Sequence, residues 1–232
     1  MQDIGFDIIS DLNLQPDDSF NWENKATSLY CIVAGNISSD LRTVIQVLLH
    51  LSNKYHGVFF VPGRLEYETA DNFVKRTDEL SAIAQGIPNT VLLYNNVIVV
   101  DGVAILGTNG WGNIEGSLSP RNIVMSAAKH EDFTYLVRCL SKLQRHLDVR
   151  KIIVVTSAVP NEELYFGEKP ENVVDQIPLG EILSADTEKK VTHWVFGTYN
   201  KPVDTYIDNI NYLSNPYNQY GPYWAKRLEI SI

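Results

Sequence analysis

Cysteine is scarce in this chain, and long apolar runs are missing. Two thiols, Cys31 and Cys139, in 232 residues exclude a disulfide framework and any Cys-rich zinc site by count alone. Both lie inside apolar segments and read as buried free thiols in a reducing compartment. No stretch reaches the roughly 18–20 apolar residues that a bilayer-spanning helix needs. The opening MQDIGFDIIS has neither the basic start nor the apolar centre of a signal peptide. Basic charge is also short: 19 Lys and Arg face 28 Asp and Glu, a net charge of -9. That balance argues against a protein that coats nucleic acid or anionic membrane through bulk charge. The histidines, His50, His56, His130, His146 and His193, show no metal-ligand spacing and read as surface or satisfied core residues. The expectation is a soluble chain, cytoplasmic or assembled into a particle, with no membrane partner.

What is present is an ordinary globular composition, 44% apolar and 20% charged, which rules out intrinsic disorder. No repeat, low-complexity block or linker divides the chain, so one domain over 1–232 is expected. Short β-rich runs alternate with helical periods. Residues 4–10, 29–34, 57–61 and 151–156 read as buried strands. Leu41, Val44, Ile45, Leu48 and Leu49 share one face of a helix over 39–54, with Ser38 or Ser39 as its cap. A second helix is expected over 67–84, with Ala70, Phe73, Val74, Leu80, Ile83 and Ala84 inward. A long one is expected over 121–147, with Phe133, Leu136, Val137, Leu140 and Leu143 on one face. Asn95-Asn96 and Asp101-Gly102 suggest consecutive hairpins over 90–108. Residues 158–180 read as an excursion, 191–196 and 203–208 as strands, and 212–224 as an aromatic, Asn-rich tail without period. The strand–helix–strand start favours parallel pairing and the later hairpins a second, mixed sheet, an α/β class. Ligands in such folds sit at the carboxyl ends of strands.

Those strand ends carry the functional signal. They read Asp11-Leu12-Asn13, Gly35-Asn36, Gly63-Arg64-Leu65-Glu66, Thr156-Ser157-Ala158-Val159-Pro160 and Gly197-Thr198-Tyr199-Asn200. A glycine precedes the polar residue in three of them, which permits a sharp turn into a shared rim. In order and spacing the five resemble the metallophosphoesterase family, also called calcineurin-like phosphoesterases. That family's pattern is D-x-H, G-D, G-N-H-[DE], a lone His after a strand, and G-H-x-H. Gly107-Thr108-Asn109-Gly110-Trp111 also looks like a strand-end segment of the family. The resemblance implies a four-layer αββα sandwich, two mixed β-sheets flanked by helices, with a two-metal centre at the rim.

The departures from that pattern carry as much information. By resemblance, the first metal would rest on Asp11, Asn13, Asn36 and Asn200, where the family has Asp, His, Asp and His. The second would rest on Asn36, Arg64, Thr198, and Ser157 or Ala158, where the family has Asp, Asn, His and His. Only Asp11 survives, and the His that assists the leaving group aligns with Leu65. A bridging carboxylate has become an amide, and Arg64 is a donor-only cation that cannot ligate a metal. The reading is a vestigial metal site with no catalytic residue, no metal and no cofactor. Its expected role is a structural or protein-binding module in a larger assembly, since relatives of the fold serve as scaffolds. Tailed bacteriophages carry such proteins, which extends the expectation to a virion component. Two alternatives stay open: a weak phosphoesterase holding one Mg²⁺ or Ca²⁺ on the all-oxygen set, and nucleic-acid binding through the old phosphate rim, which the charge disfavours. Arg64 is expected to fill the second metal's space and pair with Asp11. Contacts with partner subunits are expected on 158–180 or 212–224.

Overall fold

A computed structural model describes residues 3–111, 120–166, 178–217 and 223–232, with side chains from 124 onward in the second stretch. Among the described residues, eleven strands form two mixed sheets. The first runs β11(Lys226–Ser231), β1(Asp3–Ser10), β2(Tyr30–Ala34), β3(Gly57–Val61), β4(Thr90–Leu92). β1 to β4 are parallel, and β11 closes against β1 antiparallel. The second runs β5(Asn96–Val100), β6(Val103–Thr108), β7(Lys151–Thr156), β8(Val191–Phe196), β10(Ile210–Ser214), β9(Val203–Ile207). Here β6, β7, β8 and β10 are parallel, and each edge strand is antiparallel to its neighbour.

The period-2 alternation of strand side chains builds three apolar layers. Phe6, Ile8, Ile32, Phe59 and Val61 face Ile105, Ile153, Val155, Val195 and Leu213 between the sheets. The alternate residues Ile9, Cys31, Val33, Val58 and Phe60 pack outward on α1(Leu41–Ser52), α2(Arg64–Glu68) and α3(Phe73–Gly86). On the second sheet, Leu106, Val154, Trp194 and Tyr212 meet Leu136, Leu140 and Leu143 of α4(Pro120–Leu143) and Ile182 of α5(Leu179–Ser184). The α/β sandwich and its flanking helices are as expected. Among the described residues, no helix is long and apolar enough to cross a membrane.

Several local expectations are corrected. Asp40, rather than Ser38 or Ser39, caps α1 by accepting from the Thr43 N–H. The helix expected over 67–84 is two helices, because Asn72 caps a fresh start by accepting from the Lys75 N–H; Val74 then points to solvent. Asn95-Asn96 does not close a hairpin: β4 and β5 belong to different sheets, so the chain crosses over there. β8 and β9 are not neighbours. The apparent loop tail contains β10, which inserts between them after a turn at Asp208 and Asn209, both with positive φ. Tyr212 is therefore core rather than loose tail. Cys31 is buried, but Cys139 is only half-buried. The 158–180 excursion holds a short 3₁₀ turn at Glu162–Tyr165 and the start of α5. Its residues 167–177, including Glu168 and Glu171, and residues 218–222 of the tail lie outside the described residues.

Candidate functional site: a hydrogen-bonded rim

The parallel strands of both sheets end at one rim, and Asp11, Asn36, Ser157 and Thr198 meet there. Asp11 follows β1 and is 1% exposed. Its Oδ1 accepts from Asn36 Nδ2 at 2.8 Å and from the Thr198 N–H at 2.7 Å. The second bond joins the two sheets across the rim. Thr198 Oγ1 donates to the Ser157 carbonyl at 2.7 Å, lies 3.3 Å from Ser157 Oγ, and accepts from Asn36 Nδ2 at 3.2 Å. Asn36 Oδ1 accepts from the Leu65 N–H at 3.1 Å. That bond fixes which way the amide faces, because only an oxygen can meet an N–H donor and only the NH₂ can meet the carboxylate. Asn13 Nδ2 donates to the Asp11 carbonyl at 2.9 Å, and Asn200 Oδ1 lies 3.4 Å from it at the exposed edge.

The backbone is bent to bring these groups together. Asp11, Asn13, Asn36, Thr198 and Asn200 all adopt left-handed φ, between 48 and 67°. Asp and Asn tolerate that region, but a β-branched residue does not. Thr198 is held there by its two bonds to Asp11 and Ser157. Gly197 is needed for a different reason: a Cβ there would collide with the Ala34 carbonyl oxygen and press on Asp11 Oδ1.

Burial decides the electrostatics. Desolvation pushes Asp11 up to about 6, against the opposing pull of the Asn36 and Thr198 hydrogen bonds. Asp11 Oδ2 is buried without a hydrogen-bond partner. Arg64 does not supply the missing charge. It opens α2 as an exposed residue, and among the described residues its guanidinium makes no hydrogen bond or ion pair. The expected Arg64–Asp11 pair is therefore overturned. The helix start directs the Arg64 side chain outward while Leu65 presents its N–H to Asn36.

Glu66 is the rim's hidden support. It is fully buried, and its two oxygens accept four backbone N–H groups: Ile37 at 2.6 Å and Ser38 at 3.3 Å on Oε1, Gly63 at 2.6 Å and Asn36 at 3.2 Å on Oε2. Burial raises its pKa although these donors oppose the rise. The acidic fourth position of the Gly63-Arg64-Leu65-Glu66 segment was the signal for it. Asn109 stitches the sheets a second time: its Nδ2 donates to the Pro62 carbonyl at 2.6 Å, and its carbonyl accepts from Ser157 and Ala158. Asp132 on α4 accepts from the Gly110 N–H at 2.8 Å below it. Nothing in the local sequence marked Asp132.

The residues present do not fit a pair of transition-metal ions. Such a pair needs several imidazole or carboxylate donors with free lone pairs. Here Asp11 spends Oδ1 on two N–H donors, Glu66 spends both oxygens on four, and Asn36 turns its NH₂ toward Asp11. Among the described residues, no group of three or more His, Cys, Asp and Glu side chains comes together to hold a metal.

No protein-family model matches the chain. "Uncharacterized protein L509" of Acanthamoeba polyphaga mimivirus is 24% identical over 127 residues, covering 48% of this chain and 45% of that protein. The matched region is thus under half the length of that curated relative. Among solved structures, phosphopantetheinyl hydrolase (PptH) of Mycobacterium tuberculosis superposes with a TM-score of 0.62 at 14% identity, covering 97% of this chain and 96% of that one. A putative 5′-nucleotidase of Staphylococcus aureus gives 0.59 at 16% identity over 99% of this chain and 51% of that one. GAP50, the anchor in the inner membrane complex of Plasmodium, gives 0.60 at 12% identity over 97% and 77%. At such identities the likeness concerns the fold, and the fold is the metallophosphoesterase type: two mixed sheets flanked by helices, with the strand ends gathered at one rim.

Proposed function

We propose that this chain is a metallophosphoesterase-like protein without catalytic activity, used as a structural or protein-binding module of a larger assembly. The observation that carries the reading is the Asn36 amide donating to Asp11 at 2.8 Å, where the resembled family bridges two cations with a carboxylate. The five positions Asn13, Asn36, Ser157, Thr198 and Asn200 form an internal hydrogen-bond network with Asp11, and Arg64 stands outside it. The site residues are thus read as a vestigial metal centre whose present work is to tie the two sheets. GAP50, named as an anchor, lends support to a non-enzymatic use of the fold, and the mimivirus relative to a viral setting, with a particle component as the most specific form. The partners proposed are other protein subunits rather than membrane or nucleic acid.

The test is elemental analysis of the purified protein joined to turnover assays on aryl phosphates and phosphodiesters with added Zn²⁺, Mn²⁺ and Mg²⁺. Substoichiometric metal and no turnover are expected. Two equivalents of metal, or metal-dependent turnover abolished by Asp11→Ala, overturns the reading. A second reading, one weakly held Mg²⁺ or Ca²⁺ on Asp11, Asn13, Asn36 and Asn200, is favoured by one observation, the unpartnered Asp11 Oδ2. Stabilisation by millimolar Mg²⁺ that Asp11→Asn removes would select it.

A further inference from the structure

The two sheets end in four edge strands, and the two sides of the sandwich treat them differently. On one side, β11 carries Lys226, Arg227 and Glu229, and β9 carries Asp204, which pairs with Lys226. Charges of this kind block edge-to-edge pairing. On the other side, β4 reads TVL and β5 reads NVIVV, with no charge and no proline. Val99 is 46% exposed. Val91, Ile98 and Val100 are only partly buried against the inter-sheet core, so among the described residues nothing covers that core along this side.

We propose that β5 is a pairing edge and that its occupant is β5 of a second copy of this chain. The two-residue turn Asp101-Gly102 makes Val100 and Val103 a closing hydrogen-bonded pair, and the register continues Ile98↔Ile105 and Asn96↔Gly107. By alternation, Val97 and Val99 turn their N–H and C=O groups outward. The Val97 N–H is met there by its neighbour's Asn96 Oδ1 at 2.9 Å, a bond that pairing exchanges for an inter-chain one. Two outward residues can face each other on antiparallel copies only in registers that match odd positions with odd. The one with the greatest overlap sets Val97 against Val99 twice, around Ile98 against Ile98. Asn96 then faces Val100, and Asp101 faces Asn95. No like charges meet, although each chain carries -9. The arrangement is self-complementary, as a two-fold interface requires. It joins two six-stranded sheets into one continuous sheet and covers the open seam. It does not depend on whether the rim is catalytic.

Sedimentation of the full chain across the micromolar range tests the proposal. A species of twice the 26.2 kDa chain mass is expected, and Val99→Lys should return it to the monomer while leaving the circular dichroism spectrum and a cooperative melting transition intact, with the concentration dependence of the wild-type midpoint lost. The register is tested by cysteine pairing. Ile98→Cys should cross-link copies on mild oxidation, because opposed non-hydrogen-bonded residues lie about 4.5 Å apart between Cα atoms. Val99→Cys, two places out of register with itself, should not, and the unaltered chain with Cys31 and Cys139 serves as the control. A wild-type monomer throughout, or a dimer that survives Val99→Lys, overturns the proposal. A wild-type monomer whose β5 amides become protected only in the presence of a different protein assigns the edge to that partner and equally overturns it.

Discussion

Asn36 Nδ2 donates to Asp11 Oδ1 at 2.8 Å while the Thr198 N–H donates to the same oxygen at 2.7 Å. One carboxylate oxygen thereby joins the end of β1 to the ends of β2 and β8, and so the first sheet to the second. Asn36→Asp would set two carboxylates in contact in a buried site. The expected cost at pH 8 is about 2–4 kcal/mol of stability, easing at pH 5 as one of the pair takes a proton. Urea denaturation at the two pH values measures it. On the proposed reading the variant shows no turnover, since Asn13, Thr198 and Asn200 still stand where the resembled family has imidazoles. A variant as stable as the wild type at pH 8 would show that the Asn36–Asp11 bond does not hold the rim.

Glu66 gives a sharper test of the same rim. Both of its oxygens accept two N–H groups, so it works as a carboxylate. Glu66→Gln would turn an NH₂ toward two of those donors. With about 1–3 kcal/mol for each buried polar group left unsatisfied, a loss of roughly 3 kcal/mol is expected. A loss below 1 kcal/mol in chemical denaturation would mean that water replaces the missing acceptor.

The legibility of this chain divides along physical lines. Core strands were plain because a buried parallel strand is a short apolar run, as in GVFFV at β3. β10, INYLS, was hidden because Asn211 and Tyr212 look like loop chemistry. Tyr212 nonetheless packs on Trp194 in the outer core, and the Asp208-Asn209 turn opens the strand. The strand-end positions of Asp11, Asn36, Ser157 and Thr198 were visible as turn chemistry following apolar runs. Their bonding was not. The Arg64 expectation rested on charge balance alone, and charge balance cannot say which way a side chain leaves a helix start. Asp11 meets its burial instead through hydrogen bonds on one oxygen and a raised pKa. Asp7 carries no mark in its local sequence. It lies buried within β1 and is held by Tyr55 Oη at 2.8 Å and the Thr27 N–H at 2.7 Å, contacts 48 and 20 residues away.

The Arg64 finding has its own test. An exposed side chain without a partner among the described residues contributes little, so Arg64→Ala should change stability by no more than about 0.5 kcal/mol. A double-mutant cycle with Asp11→Asn should show coupling below about 0.5 kcal/mol, the level of independent sites. Larger coupling would mean that the guanidinium reaches the rim in solution.

Part of the pH dependence follows from two buried acids, Asp132 and Asp11, and one half-buried base, His193. Burial raises Asp132 from 3.8 to about 6, with the Gly110 N–H bond opposing, and raises Asp11 to about 6. An acid whose folded pKa lies above its unfolded value gives its full stability below the unfolded value. That stability is lost as pH rises through the folded one. Each should therefore weaken the fold between pH 4 and 7, by about 2–3 kcal/mol at one kcal-scale step per pKa unit. His193 works the other way. Burial, aided by Lys151, lowers it from 6.5 to about 4, so its share is present above 6.5 and is lost as pH falls toward 4. The opposed slopes partly cancel in the wild type, and the individual groups show only by difference. Asp132→Asn keeps a carbonyl oxygen for the Gly110 N–H and cannot ionise. Its stability relative to wild type should rise by about 2–3 kcal/mol from pH 4 to pH 7, read from urea midpoints at constant m-value. A flat difference would mean that Asp132 titrates normally and that water reaches its unpartnered Oδ1.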